Sequence, residues 1–297
     1  MKDPRFYIVI SMVAAIATII LELYGYFQTG SIAILSDALE TSVNLIAAAI
    51  GFWALTFALQ PPDLEHPFGH SKAEYFASGI ESILIIISAL IILVEAVEKI
   101  FSPHHLEKMD LGILLVGLSS IIYLSTAWLL FRAAKRLRSI TLKADALHLL
   151  SDAWVSLGVV VGIILVKLTG WSVLDPVLGL LIALQIIRTG INLLKETGSE
   201  LLDKALPHEQ QLEIKNILFS YEDLGLKFHA FRTRIAGSRS FIYFHILVPG
   251  EWTVQRGHDL CEEIEIKIRQ TLPGSYVMTH LEPVEDPASW DDEGINH

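Results

Sequence analysis

Lys143–Asp152 reads KADALHLLSD and Asp37–Asn44 reads DALETSVN, so Asp-Ala-Leu followed five residues later by Asp or Asn occurs twice in the chain. His148 stands in the later copy where Glu40 stands in the earlier one. A spacing of four puts His148 over Asp152, and Glu40 over Asn44, on one helix face. Both copies lie inside long apolar runs, where ionisable side chains are costly and turn toward the interior of a bundle. Two polar helix faces are therefore expected to meet.

Working outward, the 297 residues are 52% hydrophobic, with a mean hydropathy of +0.50, too apolar for an ordinary soluble protein. Apolar windows long enough to cross a bilayer fall at about 6–28, 31–58, 77–100, 111–131, 144–168 and 174–196. The expected organisation is a six-helix transmembrane domain over 1–200, a small α+β domain over 201–288 and a disordered tail over 289–297. Span four is rich in Gly and Ser, including Gly112, Gly117, Ser119 and Ser120, which suits close helix packing in lipid. The first apolar run continues without a small-residue cleavage pattern, so it reads as a retained span.

Lys2 and Arg5, the cluster Arg132, Lys135, Arg136, Arg138 and Lys143, and then Arg188, Lys195 and Lys204 mark one side of the membrane. By the positive-inside rule that side is cytoplasmic, and both termini share it. The formal charge of −11 argues against nucleic-acid binding and suits a domain that handles cations. A single cysteine, Cys261, cannot close an intrachain disulfide, which fits a reducing compartment, and reads as a buried helix residue.

Prolines at 61 and 62 stop span two, and the link that follows holds Asp63, His66 and His70 within eight residues. Carboxylate and imidazole there suit one borderline-soft divalent ion, or merely a soluble loop. From Pro207 the pattern becomes αββαβ: a helix near 208–221, strands near 226–235 and 239–248 joined at Gly237-Ser238, a helix near 253–271 and a strand near 275–284. His229, His245, His258, His280 and Glu282 fall on these elements, a set that favours metal over four unrelated histidines.

Glu40, Asn44, His148 and Asp152 offer two carboxylates, an imidazole and an amide oxygen, whose formal charge balances a divalent ion. On metal release such a site takes up protons, which is antiport in outline. The alternative is a polar cluster that only holds helices together.

Three motifs together resemble the cation diffusion facilitator family of divalent-metal/proton antiporters, in its bacterial zinc and iron branch, from about Gly30 to Val284. They are Gly30-Ser31 leading into Glu40-x-x-x-Asn44, the link from Gln60 through Asp63, His66, His70 and Lys72 to Glu74, and Asp145-x-x-His148-x-x-x-Asp152. The resemblance implies that Glu40, Asn44, His148 and Asp152 bind the transported ion and that Asp63, His66 and His70 form a second site. It implies further that His229, His245, His258, His280 and Glu282 bind regulatory ions at the interface of a homodimer with a metallochaperone-like cytoplasmic domain. An interlock between Lys72 and Asp203 is implied as well.

The chain departs from the family where two Asp, or His and Asp, are usual on span two and Glu40 and Asn44 stand instead. Imidazole at His148 favours Zn²⁺, Fe²⁺, Co²⁺ or Cd²⁺ over Mg²⁺ and Ca²⁺, with Mn²⁺ admissible. The expectation is zinc efflux in exchange for protons by an integral multi-pass protein of the cytoplasmic membrane. Its partners are the lipid bilayer, metal ions and protons. Manganese or iron antiport, a metal-gated sensor without flux and an intramembrane metalloenzyme are the alternatives; no zincin-type motif supports the last.

Overall fold

The computed structural model describes residues 3–29, 32–101, 109–169, 171, 173–222 and 225–290. It divides into two compact units, Met1–Gly198 and Ser199–His297.

The first unit is built from α1 (Pro4–Thr29), α2 (Ile32–Ala58), α3 (Ala73–Phe101), α4 (Met109–Leu137), α5 (Ile140–Thr169) and α6 (Leu174–Leu201). They run 26, 27, 29, 29, 30 and 28 residues. At 1.5 Å per residue that is roughly 39–45 Å, longer than the ~30 Å hydrocarbon core, so the helices continue beyond the apolar windows at both ends. Among the described residues α1, α3, α4 and α6 each contain an apolar stretch of membrane length, while the apolar part of α2 is Leu45–Ala58. The first half of α5 carries Lys143, Asp145, His148 and Asp152. The helices that interrupt their own apolarity are the ones bearing the paired motif.

Large apolar side chains such as Val13, Ile20, Ile83, Ile87, Val94 and Leu181 face outward, as a lipid-facing surface requires. Inside, small residues let backbones approach: Ala47, Ala48 and Ala54 on α2, Ser119, Ser120 and Ala127 on α4, and Ala144, Ala146 and Ala153 on α5 are buried. Gly117 has open space beside it, so packing on α4 falls to serine and alanine. Glycine matters on α6, where a Cβ on Gly190 would come within 2.7 Å of Ile86 and 3.3 Å of the Ser82 carbonyl oxygen on α3. Helix α5 lies centrally, packed against α4 and also touching α1, α2 and α3. Arg138, at φ 52°, turns the chain from α4 into α5, and Ser139 donates to buried Glu74 of α3.

The second unit consists of α7 (His208–Phe219), β1 (Lys227–Ala236), β2 (Arg239–Val248), α8 (Val254–Thr271) and β3 (Ser275–Pro283). Its sheet has the order β1-β2-β3, β1 antiparallel to β2 and β3 parallel to β2. Gly237, at φ 58°, makes the hairpin turn, and Thr253 caps α8 by accepting from the Arg256 amide at 3.2 Å. Alternate residues Ile242, Phe244, Ile246 and Val248 of β2 form one core with Ile214 and Leu218 of α7 and Ile264 and Ile268 of α8. Cys261 packs half-buried against that core, and burial pushes its thiol up, which keeps it an unreactive thiol.

The first two residues of the tail expected to be disordered, 289 and 290, are folded. Pro287–Trp290 is a 3₁₀ turn with Ser289 buried, and the Trp290 indole donates to the Val284 carbonyl at 3.0 Å. An indole that covers protein surface orders the residues around it; 291–297 lie outside the described residues.

Candidate metal sites

In the second unit the sheet register lines up three histidines. His229 of β1 pairs with His245 of β2, and His245 pairs with His280 of β3, so one row of imidazoles crosses the sheet. Between His229 and Arg232 the β1 register shifts, and Ala230 sits at φ 51°, a β-bulge with one extra residue. Phe228 before the bulge and Phe231 and Ile235 after it all pack on the helical core, while His229 is left on the opposite face. Glu282, two residues beyond His280, shares that face.

The Glu282 carboxylate joins the row. Its Oε2 lies 2.8 Å from His229 Nε2 and 3.2 Å from His245 Nδ1, and its Oε1 lies 3.5 Å from His280 Nδ1. One ligand atom each of His229, His245 and Glu282 falls within 4.8 Å of the others. Two imidazoles and a carboxylate are a donor set for zinc-like ions. His280, 66% exposed, flanks them. His258 is exposed on α8, whose buried face is Gly257, Ile264 and Ile268, and it is not among these converging atoms. Trp290 lies against His229, ring centroids 6.1 Å apart. Sequence reasoning missed it because a lone Trp in an acidic tail carries no spacing signal.

The link between α2 and α3 folds on Asp63. Its Oδ1 accepts from the backbone amides of His66 at 2.6 Å and Glu65 at 3.0 Å. The His66 amide chiefly holds the carboxyl below its ordinary range. Gly69, at φ 85°, turns the chain so that His70 enters, its side chain 2% exposed and its ring edge-on to Phe57 at 4.6 Å. His70 Nε2 then stands 3.1 Å from His66 Nδ1 and 3.3 Å from Asp63 Oδ2. Three donors converge on one point.

In the bundle, His148 Nε2 lies 3.9 Å from Asp152 Oδ2, one turn along α5. A narrow pocket reaches both, walled by Ile85, Ser88 and Ile92 of α3 and Ile186 of α6. Glu40 and Asn44 fall on α2, which packs against α5, but their side chains lie outside the described residues. Beside them Thr41 donates to Glu22 Oε2 at 3.0 Å and meets Tyr123 of α4 at 2.9 Å, tying α1, α2 and α4 together. Tyr123 escaped sequence reading because one tyrosine in an apolar span has no partner visible along its own helix. Nearer the start of α5, Asp145 accepts from Ser11 at 3.0 Å. Glu81, 2% exposed, has no hydrogen-bond partner among the described residues.

Asp203 lies in the second unit, where it accepts from Arg234 at 3.1 Å; Lys72 lies in the first, in the turn before α3.

Ionisable groups turned into a bundle of membrane-length helices serve what crosses it, and fold and sites together define a multi-pass membrane transporter of cations. The model of the cation efflux transmembrane domain matches residues 8–202, and that of the cation efflux protein cytoplasmic domain matches 206–284. The chain belongs to the cation efflux, or cation diffusion facilitator, family of divalent-cation transporters, and not to an enzyme family. An uncharacterised transporter of Synechocystis sp., sll1263, is 52% identical over 286 residues, 96% of this chain and 92% of its own length. The cation-efflux pump FieF of Citrobacter koseri is 30% identical over 279 residues, 91% of this chain and 90% of its own. A solved chain of CzrB in its zinc form is 37% identical over 28% of this chain and 93% of its own, with a TM-score of 0.26.

Proposed function

We propose that the protein exports zinc in exchange for protons. Zn²⁺ is held within the bundle by His148 and Asp152 of α5 together with Glu40 and Asn44 of α2. The observation that carries this reading is the His148–Asp152 pair, 3.9 Å apart and opening into a pocket between membrane helices. Imidazole beside carboxylate prefers zinc-like ions to Mg²⁺ or Ca²⁺. Both ligands bind metal only when deprotonated, so each ion leaving is replaced by protons.

Asp63, His66 and His70 form a second zinc site in the cytoplasmic link. In the cytoplasmic domain His229, His245 and Glu282, flanked by His280, bind regulatory zinc in a homodimer. Both termini face the cytoplasm from the cytoplasmic membrane. Iron, manganese, cobalt and cadmium are the competing cargoes.

The test is competitive uptake of Zn²⁺, Fe²⁺, Mn²⁺, Co²⁺ and Cd²⁺ by proteoliposomes, with Asn44→Asp beside the wild type. Zinc should lead in the wild type, and Asn44→Asp should alter the order. A wild type that prefers Mn²⁺ or Fe²⁺ refutes zinc as cargo, and an unchanged order removes Asn44 from the ligands.

A further inference from the structure

Where α4 emerges beside α1, an open pocket is lined by Tyr7, Leu129, Arg132, Ala133, Lys135 and Arg136. Arg132, Lys135 and Arg136 stand at i, i+3 and i+4, on one helix face. None of the three forms an ion pair among the described residues. Neighbouring cations differ: Arg5 is paired with Asp3 at 2.5 Å, and Lys143 with Glu196 at 2.5 Å. Arg136 donates to the Tyr7 hydroxyl at 3.2 Å, and Arg132 lies over the Trp128 ring at 4.3 Å. These neutral contacts orient both guanidinium groups and leave their charge uncompensated.

The same face continues down the helix as exposed Trp128, Leu124 and Ile121. A tryptophan between a cationic rim and an apolar stripe occupies the depth at which headgroup meets acyl chain. The positive-inside rule explains the sign of these charges. It does not explain why three unpaired cations share one pocket at the head of an apolar lane.

We infer that this pocket binds the phosphate of an anionic phospholipid. Arg132, Lys135 and Arg136 clasp the headgroup, and an acyl chain lies along Trp128, Leu124 and Ile121. Arginine presents a planar fork of donors that matches phosphate oxygens, and basic pockets between membrane helices are suited to anionic headgroups. A free phosphate would leave the apolar lane unused, so the occupant is a lipid. The inference stands apart from the metal carried.

Native mass spectrometry of the purified full-length chain, titrated with phosphatidylglycerol or phosphatidylcholine, tests it. Phosphatidylglycerol should bind preferentially, and Arg132→Gln/Lys135→Gln/Arg136→Gln should lower that preference by more than about tenfold, each cation being worth about fivefold. An equal charge loss at Arg188, Lys195 and Lys204 should leave it intact. If the triple variant does not fold, exposed Lys135→Gln alone should lower the preference about fivefold. No preference in the wild type, equal losses in both triple variants, no loss in Lys135→Gln, or displacement of the lipid by equimolar inorganic phosphate would each overturn the inference.

Discussion

Glu22 and Glu81 are both buried in the bundle, and their surroundings treat them differently. Glu22 accepts from Thr41, whereas both oxygens of Glu81 lack hydrogen-bond partners among the described residues. A buried polar group without a partner costs about 1–3 kcal/mol, so Glu81→Met, which removes both oxygens at similar length, should fold as well as the wild type or better, by up to that amount. Thermal unfolding in detergent measures it; a loss of more than about 1 kcal/mol would mean that the carboxylate is satisfied by something essential. At this scale the sequence disclosed pairs that share an element: His148 with Asp152 by a spacing of four, and His280 with Glu282 by a spacing of two. It hid partners on other elements, such as Thr41 with Tyr123 and His229 with Trp290, because nothing along one helix or strand encodes them. His258 shows the converse, since membership of a histidine-rich domain does not bring a helix residue to the imidazole row.

Among elements, β1 and the α2–α3 link decide two of the metal sites. The alternation of KFHAFRTRIA suggests a strand, but the bulge at Ala230 is silent in the pattern because alanine carries no turn signal. Deleting Ala230 removes the extra residue and leaves His229 and the Phe231–Ile235 run on their present faces, so the site itself is probed by removing a ligand, His229→Ala. Isothermal titration of His229→Ala is expected to show at least a tenfold loss in zinc affinity at the cytoplasmic site, about 1.4 kcal/mol; unchanged affinity would show that His229 is not a ligand. The link depends on Asp63, whose carboxyl is held below its ordinary range mainly by the His66 amide. A depressed carboxyl contributes its full stabilisation above about pH 4, its unfolded value, and loses it as the pH falls through the lower folded value. Hydrogen exchange at the His66 amide should therefore stay protected down to about pH 4 and, after correction for intrinsic rates, open below it. Protection unchanged between pH 5 and pH 2 would contradict this anchoring role.

The whole molecule was legible in outline because membrane and water impose different periodicities. Six apolar runs became six helices, and the soluble αββαβ pattern was recovered with strand limits within a residue or two. The helices exceed the apolar windows because their ends are polar, as at Lys135–Leu137 and Lys195–Leu201, and a hydropathy reading stops where the lipid does. The two halves of the proposed transport site belong to packed helices, α2 and α5, and the account assigns metal and protons to the same residues there. Proteoliposomes carrying a zinc-sensitive dye and a pH-sensitive dye measure both fluxes in one experiment. External zinc should enter the wild type while the lumen turns alkaline, and His148→Ala/Asp152→Ala should abolish both signals together. Zinc entry without any lumenal pH change, or both signals persisting in the double variant, would contradict the account.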